Sequence, residues 1–155
     1  MAVIAYLNFD GNAAEAIQFY AEALDSNEVK QVRFGDLPHD PNYPLPESEL
    51  RMIMESSIAF AGGKIMISDL LSSMKQGMGD LVKGNNVLIS IVNESRPTLE
   101  AYFNRLSAGG YVIMPLSDMP WSSCFGMLVD RFGIVWKFNG DADKFLDRVL
   151  AAKQP

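Results

Sequence analysis

The sequence predicts a single α+β domain made of two copies of a strand–helix–three-strand unit, the βαβββ module. The first observation is that the order of strand-like and helix-like patterns occurs once and then starts again near residue 86. The second is that a shift of 83 residues places Asn12 on Ser95, Ala16 on Leu99 and Tyr20 on Phe103. The third is the length of 155 residues, which is typical of one domain with a substantial core.

Module one is predicted to cover residues 2–70. Asn12 followed by Glu15 has the spacing of a helix start, and apolar residues then recur at helical spacing. The segment 36–47 contains four prolines and is predicted to be a loop. Gly62 and Gly63 predict a hairpin turn. The predicted elements are strands at 2–10, 28–35, 50–60 and 64–70 and a helix at 13–24.

Module two is predicted to cover residues 86–140, after a linker at 71–85 that has no clear period. Ser95 with Pro97 marks the start of its helix, and Gly109-Gly110 marks the end. Apolar residues on one side of 141–152 predict a short C-terminal helix. The predicted strands lie at 86–93, 111–116, 123–130 and 134–139.

Charge and composition exclude several kinds of partner. The formal net charge is −6, and no cluster of Lys and Arg interrupts the acidic surface, so nucleic acid is not expected to bind. No apolar run approaches the roughly 20 residues that a membrane-spanning helix needs. Cys124 is the only cysteine, which excludes an intramolecular disulfide. We therefore expect a cytoplasmic protein that does not bind membranes.

Three segments carry a resemblance to a known family. They are residues 6–12 (YLNFDGN) with 16–20 (AIQFY), residues 61–69 (AGGKIMISD) and residues 125–138 (FGMLVDRFGIVWKF). In this order they resemble the PhnB-like branch of the glyoxalase/bleomycin resistance/dioxygenase superfamily, also called the vicinal oxygen chelate superfamily. The resemblance implies curled mixed sheets around a cavity that binds a small molecule. It also implies that modules pair within one chain or across a homodimer.

The resemblance further implies where metal-using members of the superfamily hold their ion, on the first and last strands of the two modules. The matching positions here are Ile4 or Ala5, Ile67, Val87 or Leu88, and Lys137. Aliphatic side chains offer no lone pair and a protonated lysine repels a cation, so no metal and no other cofactor is expected. Asp69, Asp130 and Glu55 could regroup as ligands, but nothing in their spacing requires it.

Six residues are candidates for a ligand site. Tyr6 and Asn8 alternate with Leu7 and Phe9 on the first strand, which would turn the polar pair into the cavity, although an exposed pair explains them as well. Glu55 is a weak candidate for a general base, against the alternative of a solvated strand residue. The remaining ligand-binding candidates are Trp121, Trp136 and Lys137.

The alternatives for these last three residues differ. Trp136 suits core packing, whereas Trp121 follows Pro120 and suits a cavity rim or a dimer contact. Lys137 would supply positive charge for an anionic ligand, or would point outward. Three functions stay open at this point: metal-free small-molecule binding with or without catalysis, a metal-dependent lyase, isomerase or dioxygenase, and a structural or regulatory homodimer.

Overall fold

The computed structural model describes residues 1–154, and the chain divides into two compact units. The first unit comprises residues 1–82 and the second begins at Lys83. Each unit contains one four-stranded mixed sheet and the helices packed on it. The two predicted βαβββ modules are therefore confirmed as the architecture of an α+β fold.

In unit one, the first and last strands in sequence lie next to each other in the sheet and run parallel. The sheet order is β1-β4-β3-β2, with β1 parallel to β4 and the other pairs antiparallel. A 3-10 turn at Phe34–Asp36 and a short helix interrupt the proline-rich loop between β2 and β3. The elements are β1 (Ala5–Phe9), α1 (Ala13–Ala23), β2 (Glu28–Arg33), α2 (Glu47–Leu50), β3 (Ile53–Phe60), β4 (Gly63–Asp69) and α3 (Ser72–Met78).

Unit two repeats this plan. Its sheet order is β5-β8-β7-β6, with β5 parallel to β8. Its elements are β5 (Ile89–Val92), α4 (Arg96–Leu106), β6 (Tyr111–Met119), β7 (Ser122–Val129), β8 (Val135–Asn139) and α5 (Ala142–Ala152). The Ser95 side chain accepts a hydrogen bond from the Thr98 amide, so the predicted start of α4 is confirmed.

Several local predictions were wrong. The linker at 71–85 contains α3, whose start is held by Glu49: this carboxylate accepts hydrogen bonds from the Ser72 amide at 2.9 Å and from the Ser72 hydroxyl. The strand predicted at 50–60 begins only at Ile53, because residues 47–50 form α2. The hairpin turns at Ala61 and Gly62, both with positive φ, and Gly63 already pairs with Phe60 as a strand residue.

Helix α1 supplies the buried stripe that covers one face of the first sheet. It packs against β3 and β4. Full burial of a side chain such as Ile17 contributes about 1.5–3 kcal/mol by removing apolar surface from water. The buried residues of the helix are Ala13, Ala16, Ile17, Tyr20 and Ala23.

Asp69, rather than the predicted Asn12, accepts hydrogen bonds from the backbone N–H groups at the start of α1. The Asn12 side chain makes no capping hydrogen bond. Instead, Asp69 Oδ1 accepts from the Gly11 amide at 2.8 Å and the Ala13 amide at 3.0 Å, and Oδ2 accepts from the Ile53 amide at 2.9 Å. One buried carboxylate at the end of β4 thus joins the first helix to the start of β3.

A second buried aspartate has a comparable role in unit two. Asp130 Oδ1 accepts from the amides of Phe132 at 2.8 Å and Ile134 at 3.1 Å, which fixes the turn between β7 and β8. Asp130 Oδ2 accepts from the Trp136 indole at 2.9 Å. Asp69 and Asp130 therefore both hold backbone turns, and their oxygens are already engaged by N–H donors.

Candidate functional site

Each sheet has one face toward its main helix and one face away from it, which we call the distal face. On the distal face of sheet one, side chains from three strands come together. Tyr6 pairs with Met66, Asn8 pairs with Ser68, and Ser57 pairs with Met66, so strand alternation places all of them on one side. Glu55, two residues before Ser57, completes the set.

Tyr6 and Glu55 are directly bonded on this face. The Tyr6 hydroxyl donates to Glu55 Oε1 at 2.9 Å. Burial raises the pKa of Tyr6; a hydrogen bond with Ser68 lowers it, and the Glu55 carboxylate raises it again. Tyr6 therefore remains a neutral hydrogen-bond donor at pH 7, and the Glu55 carboxylate accepts its hydrogen bond. The structure brings these two sequence candidates together, with Asn8 two residues from Tyr6.

The distal face of sheet two has a different chemistry. Lys137 pairs with Ser90 on β5 and Met127 on β7. Its ammonium lies 5.8 Å from the centroid of the Phe125 ring, within the range of a cation–π contact. Trp121, in the turn between β6 and β7, meets the same ring edge to face, with centroids 5.8 Å apart. Lys137 and Trp121 thus belong to one cluster, joined through Phe125.

Beside this cluster lies an open groove of about 640 Å³ that crosses the sheet. Met127 and Val135, which line it, are the strand neighbours of Lys137. The aliphatic stem of Lys83 lies against the Gly133 turn, and this lysine lines the groove, whereas Lys137 lies beside the groove. The other lining residues are Gly84, Asn85, Leu88, Tyr111, Ile113 and Val129.

Trp136 does not lie on the distal face. Its side chain is fully buried on the side of α4, next to Phe138, whose ring stacks against Phe103. The position supports core packing, the alternative considered for Trp136, because a ligand on the distal face would be separated from it by the sheet. Cys124 is also buried, and this burial raises the pKa of its thiol, so its position supports a structural role.

The residues on the distal faces do not fit a divalent metal ion. Ile67, one of the positions derived from the resemblance, points to the helix side and is fully buried, so the distal positions of β4 are Met66 and Ser68. The distal positions of the other first and last strands are Tyr6 and Asn8, Ser90 and Val92, and Val135 and Lys137. None is a histidine, carboxylate or thiolate, the donors that such ions prefer.

Side chains that could bind a metal ion do not cluster in the rest of residues 1–154 either. Within residues 1–154, no three His, Cys, Asp or Glu side chains come close enough to hold a metal ion. Asp69, Asp130 and Glu55 do not regroup: the two aspartates accept backbone and indole N–H groups, and Glu55 accepts the Tyr6 hydroxyl. In the same part of the chain, no helix is long and apolar enough to cross a membrane.

The start of α1 is equally unsuited to a phosphate-bearing cofactor. A loop between a first strand and a helix often binds phosphate through the free N–H groups of the helix N-terminus. Here the Gly11 and Ala13 amides already donate to Asp69, which places a negative charge where the phosphate would lie. The arrangement stabilises the fold rather than a bound nucleotide.

The sequence alone did not single out Phe125, Ser68 or Met127 as residues of the distal faces. The available signal was the period of two along β7, where Cys124 and Leu128 are buried and Phe125 and Met127 are half-buried. That alternation places Phe125 and Met127 opposite the core, on the face that carries Lys137.

The chain matches one protein-family model and is similar to several solved structures. A family model described as 3-demethylubiquinone-9 3-methyltransferase matches residues 1–139. Protein PA1353 from Pseudomonas aeruginosa is similar in structure with a TM-score of 0.73 and 30% identity, covering 90% of this chain and 96% of that one. The PhnB protein from Bacillus cereus has a TM-score of 0.61 and 23% identity, with 90% and 98% covered. A glyoxalase/bleomycin resistance protein/dioxygenase domain from Frankia sp. has a TM-score of 0.58 and 17% identity, with 90% of each chain covered.

Proposed function

Because the chain belongs to the PhnB-like family described as 3-demethylubiquinone-9 3-methyltransferase, within the glyoxalase/bleomycin resistance/dioxygenase superfamily, we propose that it binds a small organic molecule without a metal held by protein side chains. The observation that carries the proposal is the groove on the distal face of sheet two. Its volume of about 640 Å³ and its mostly apolar lining with a few polar groups are typical of ligand sites.

We do not propose that the protein transfers methyl groups, although the family description names a methyltransferase. Methyl transfer needs a bound methyl donor, and the first strand–helix junction is closed by Asp69. The metal-dependent alternative, a lyase, isomerase or dioxygenase, is not favoured, because the first and last strands of the two sheets present no histidine, carboxylate or thiolate on their distal faces. If the bound molecule also reacts, Glu55 is our candidate proton acceptor, since it lies beside the neutral Tyr6 donor.

Binding in the groove is testable with two aromatic probes of nearly equal shape, 2-naphthoate and 2-naphthamide. We expect at least one of them to bind and to raise the melting temperature, because a ligand specific to the folded state stabilises it. Replacing Ile113, which lines the groove, with glutamate should weaken binding, because it removes an apolar contact and puts a charge into the groove. We expect the affinity to fall by about tenfold or more, which corresponds to a loss of roughly 1.4 kcal/mol of binding free energy. The measurement is isothermal titration calorimetry.

The neighbouring Val112 provides the matched control. Val112 is similarly exposed on β6 but does not line the groove, so Val112→Glu should retain the affinity of the unmodified protein. Absence of binding by both probes, or equal weakening by the two substitutions, would contradict binding in this groove. The structural or regulatory homodimer without a ligand would then be favoured.

We also propose that the protein is a homodimer, with helix α5 as one contact. No residue of α5 is buried. Three apolar residues along one side of the helix are exposed to solvent: Leu146 at 56%, Val149 at 37% and Leu150 at 60% of their surfaces. Asp143 lies in the first turn of the helix and Lys153 directly follows its last residue; Lys144 near the start is already paired with Asp141. Two such helices packed antiparallel would cover both apolar stripes and bring opposite charges together.

Light scattering coupled to size-exclusion chromatography tests this contact. We expect a dimer for the unmodified protein and a monomer for the double variant Leu146→Glu and Leu150→Glu, because two buried charges would oppose the packing of the stripes. Ala151→Glu, on another side of the helix, should remain dimeric. A monomeric unmodified protein would overturn the homodimer, and a dimeric double variant would overturn the α5 contact. We further propose a cytoplasmic location, which suits a single unpaired cysteine.

A further inference from the structure

We propose that the groove on sheet two selects ligands that combine an apolar or aromatic body with a single anionic group, and that Lys137 is the residue that recognises the anion. This inference rests on the proposed small-molecule binding and specifies its ligand class. Lys137 lies in the middle of β8, where its side chain is half-buried among strand neighbours rather than extended into solvent at an edge.

The ammonium of Lys137 lacks an internal counter-ion. Within residues 1–154, neither Lys137 nor Lys83 forms an ion pair or a hydrogen bond, although the chain contains 19 acidic residues against 13 basic ones. Lys137 instead makes a cation–π contact with the Phe125 ring, with its ammonium 5.8 Å from the ring centroid. A partly desolvated cation of this kind gains more from an anion than a solvated lysine does, because the effective dielectric near apolar side chains is lower than in water.

The surroundings of Lys137 specify the rest of the ligand. Met127 and Val135, beside it on the sheet, line the groove and offer apolar contacts. Trp121 and Phe125 add aromatic surface on which a planar ring can stack. An anion bound at Lys137 would thus extend its apolar body along the groove toward Tyr111 and Ile113, with Lys83 at the Gly133 turn as the second cation.

The same features argue against polyanions and against sheet one as the anion site. A nucleotide or polyphosphate carries several charges, whereas the groove is lined by one lysine, Lys83, with Lys137 beside it, in a protein of net charge −6. The distal face of sheet one carries the Glu55 carboxylate, which repels anions. An anion is therefore disfavoured beside Tyr6 and Glu55 and favoured beside Lys137.

Calorimetry with the two probes tests the charge preference directly, since 2-naphthoate and 2-naphthamide differ mainly in the anionic group. We expect the unmodified protein to bind 2-naphthoate at least about tenfold more tightly, and Lys137→Met to reduce this ratio to about threefold or less while leaving 2-naphthamide affinity unchanged. Lys137→Arg should preserve the preference. Lys64→Met, on the β3–β4 hairpin of unit one, is the matched control and should behave like the unmodified protein.

The outcomes separate this inference from the proposed function. If the unmodified protein binds both probes equally, or if Lys137→Met keeps the full preference, Lys137 does not recognise an anion and the inference is overturned while groove binding stands. If neither probe binds, the proposed function fails with it. Circular dichroism of each variant establishes that it is folded, and Lys137→Gln replaces Lys137→Met in the titrations if the latter unfolds.

Discussion

Gly110→Ala is expected to destabilise unit two by about 3 kcal/mol or more, a large share of the 5–15 kcal/mol by which proteins are typically stable. A Cβ atom at this position would lie 2.0 Å from the Val129 carbonyl oxygen and within 3 Å of backbone atoms of Asp130. These are backbone atoms, so no side-chain rotation relieves the overlap. The connection between α4 and β6 would have to move away from β7.

Urea unfolding followed by circular dichroism measures this loss. Gly77→Ala is the matched control, because a Cβ atom there meets no other atom within 4 Å and alanine favours a helix over glycine. We expect the control to be neutral or more stable by up to about 1 kcal/mol. A Gly110→Ala protein with unchanged stability would show that the close approach between this backbone and β7 is absent.

Asp69→Asn is expected to cost unit one about 2–4 kcal/mol, although the side chain keeps its size. The carboxylate accepts three backbone N–H groups, two through one oxygen and one through the other. An asparagine has a single acceptor oxygen, so its amide would point an N–H group at another N–H group. The substitution also removes the negative charge at the start of α1, where the helix dipole favours it.

Thermal or urea unfolding at pH 7 measures this effect. Glu28→Gln is the control, since it makes the same change from acid to amide on an exposed position of β2 and should stay within about 0.5 kcal/mol of the unmodified protein. Equal stability of the Asp69→Asn and Glu28→Gln proteins would contradict the capping role of Asp69. The expected difference arises because Asp69 accepts three backbone N–H groups, whereas the Glu28 side chain lies on an exposed strand.

The sequence was sufficient for the fold because both modules repeat the same order of periodic segments. Strand alternation and the apolar stripes of α1 and α4 depend on local spacing, which a sequence displays directly. The start of α1 is a different case. Asn12 has the right local pattern, but the structure uses Asp69, which is distant in sequence and is brought there by the parallel pairing of β1 with β4. Local patterns cannot reveal an acceptor supplied by tertiary structure.

The site was only partly predictable for a similar reason. Alternation alone placed Tyr6 and Asn8 on the face away from α1, and Glu55 joins Tyr6 there. The resemblance placed Ile67 at a position where metal-using members hold their ion, but Ile67 faces the helix, and a shift of one residue exchanges the two faces of a strand. Phe125 emerged only once the pairing of β7 with β8 brought it to Lys137.

The placement of β1 beside β4, and of β5 beside β8, has a consequence for biosynthesis. In each unit the strand that leaves the ribosome first hydrogen-bonds to the strand that leaves last. Neither sheet is complete until its final strand has been translated, so the nascent chain must keep its early strand unpaired for most of the module. Cotranslational folding should therefore proceed in two late steps, one as each module emerges from the exit tunnel.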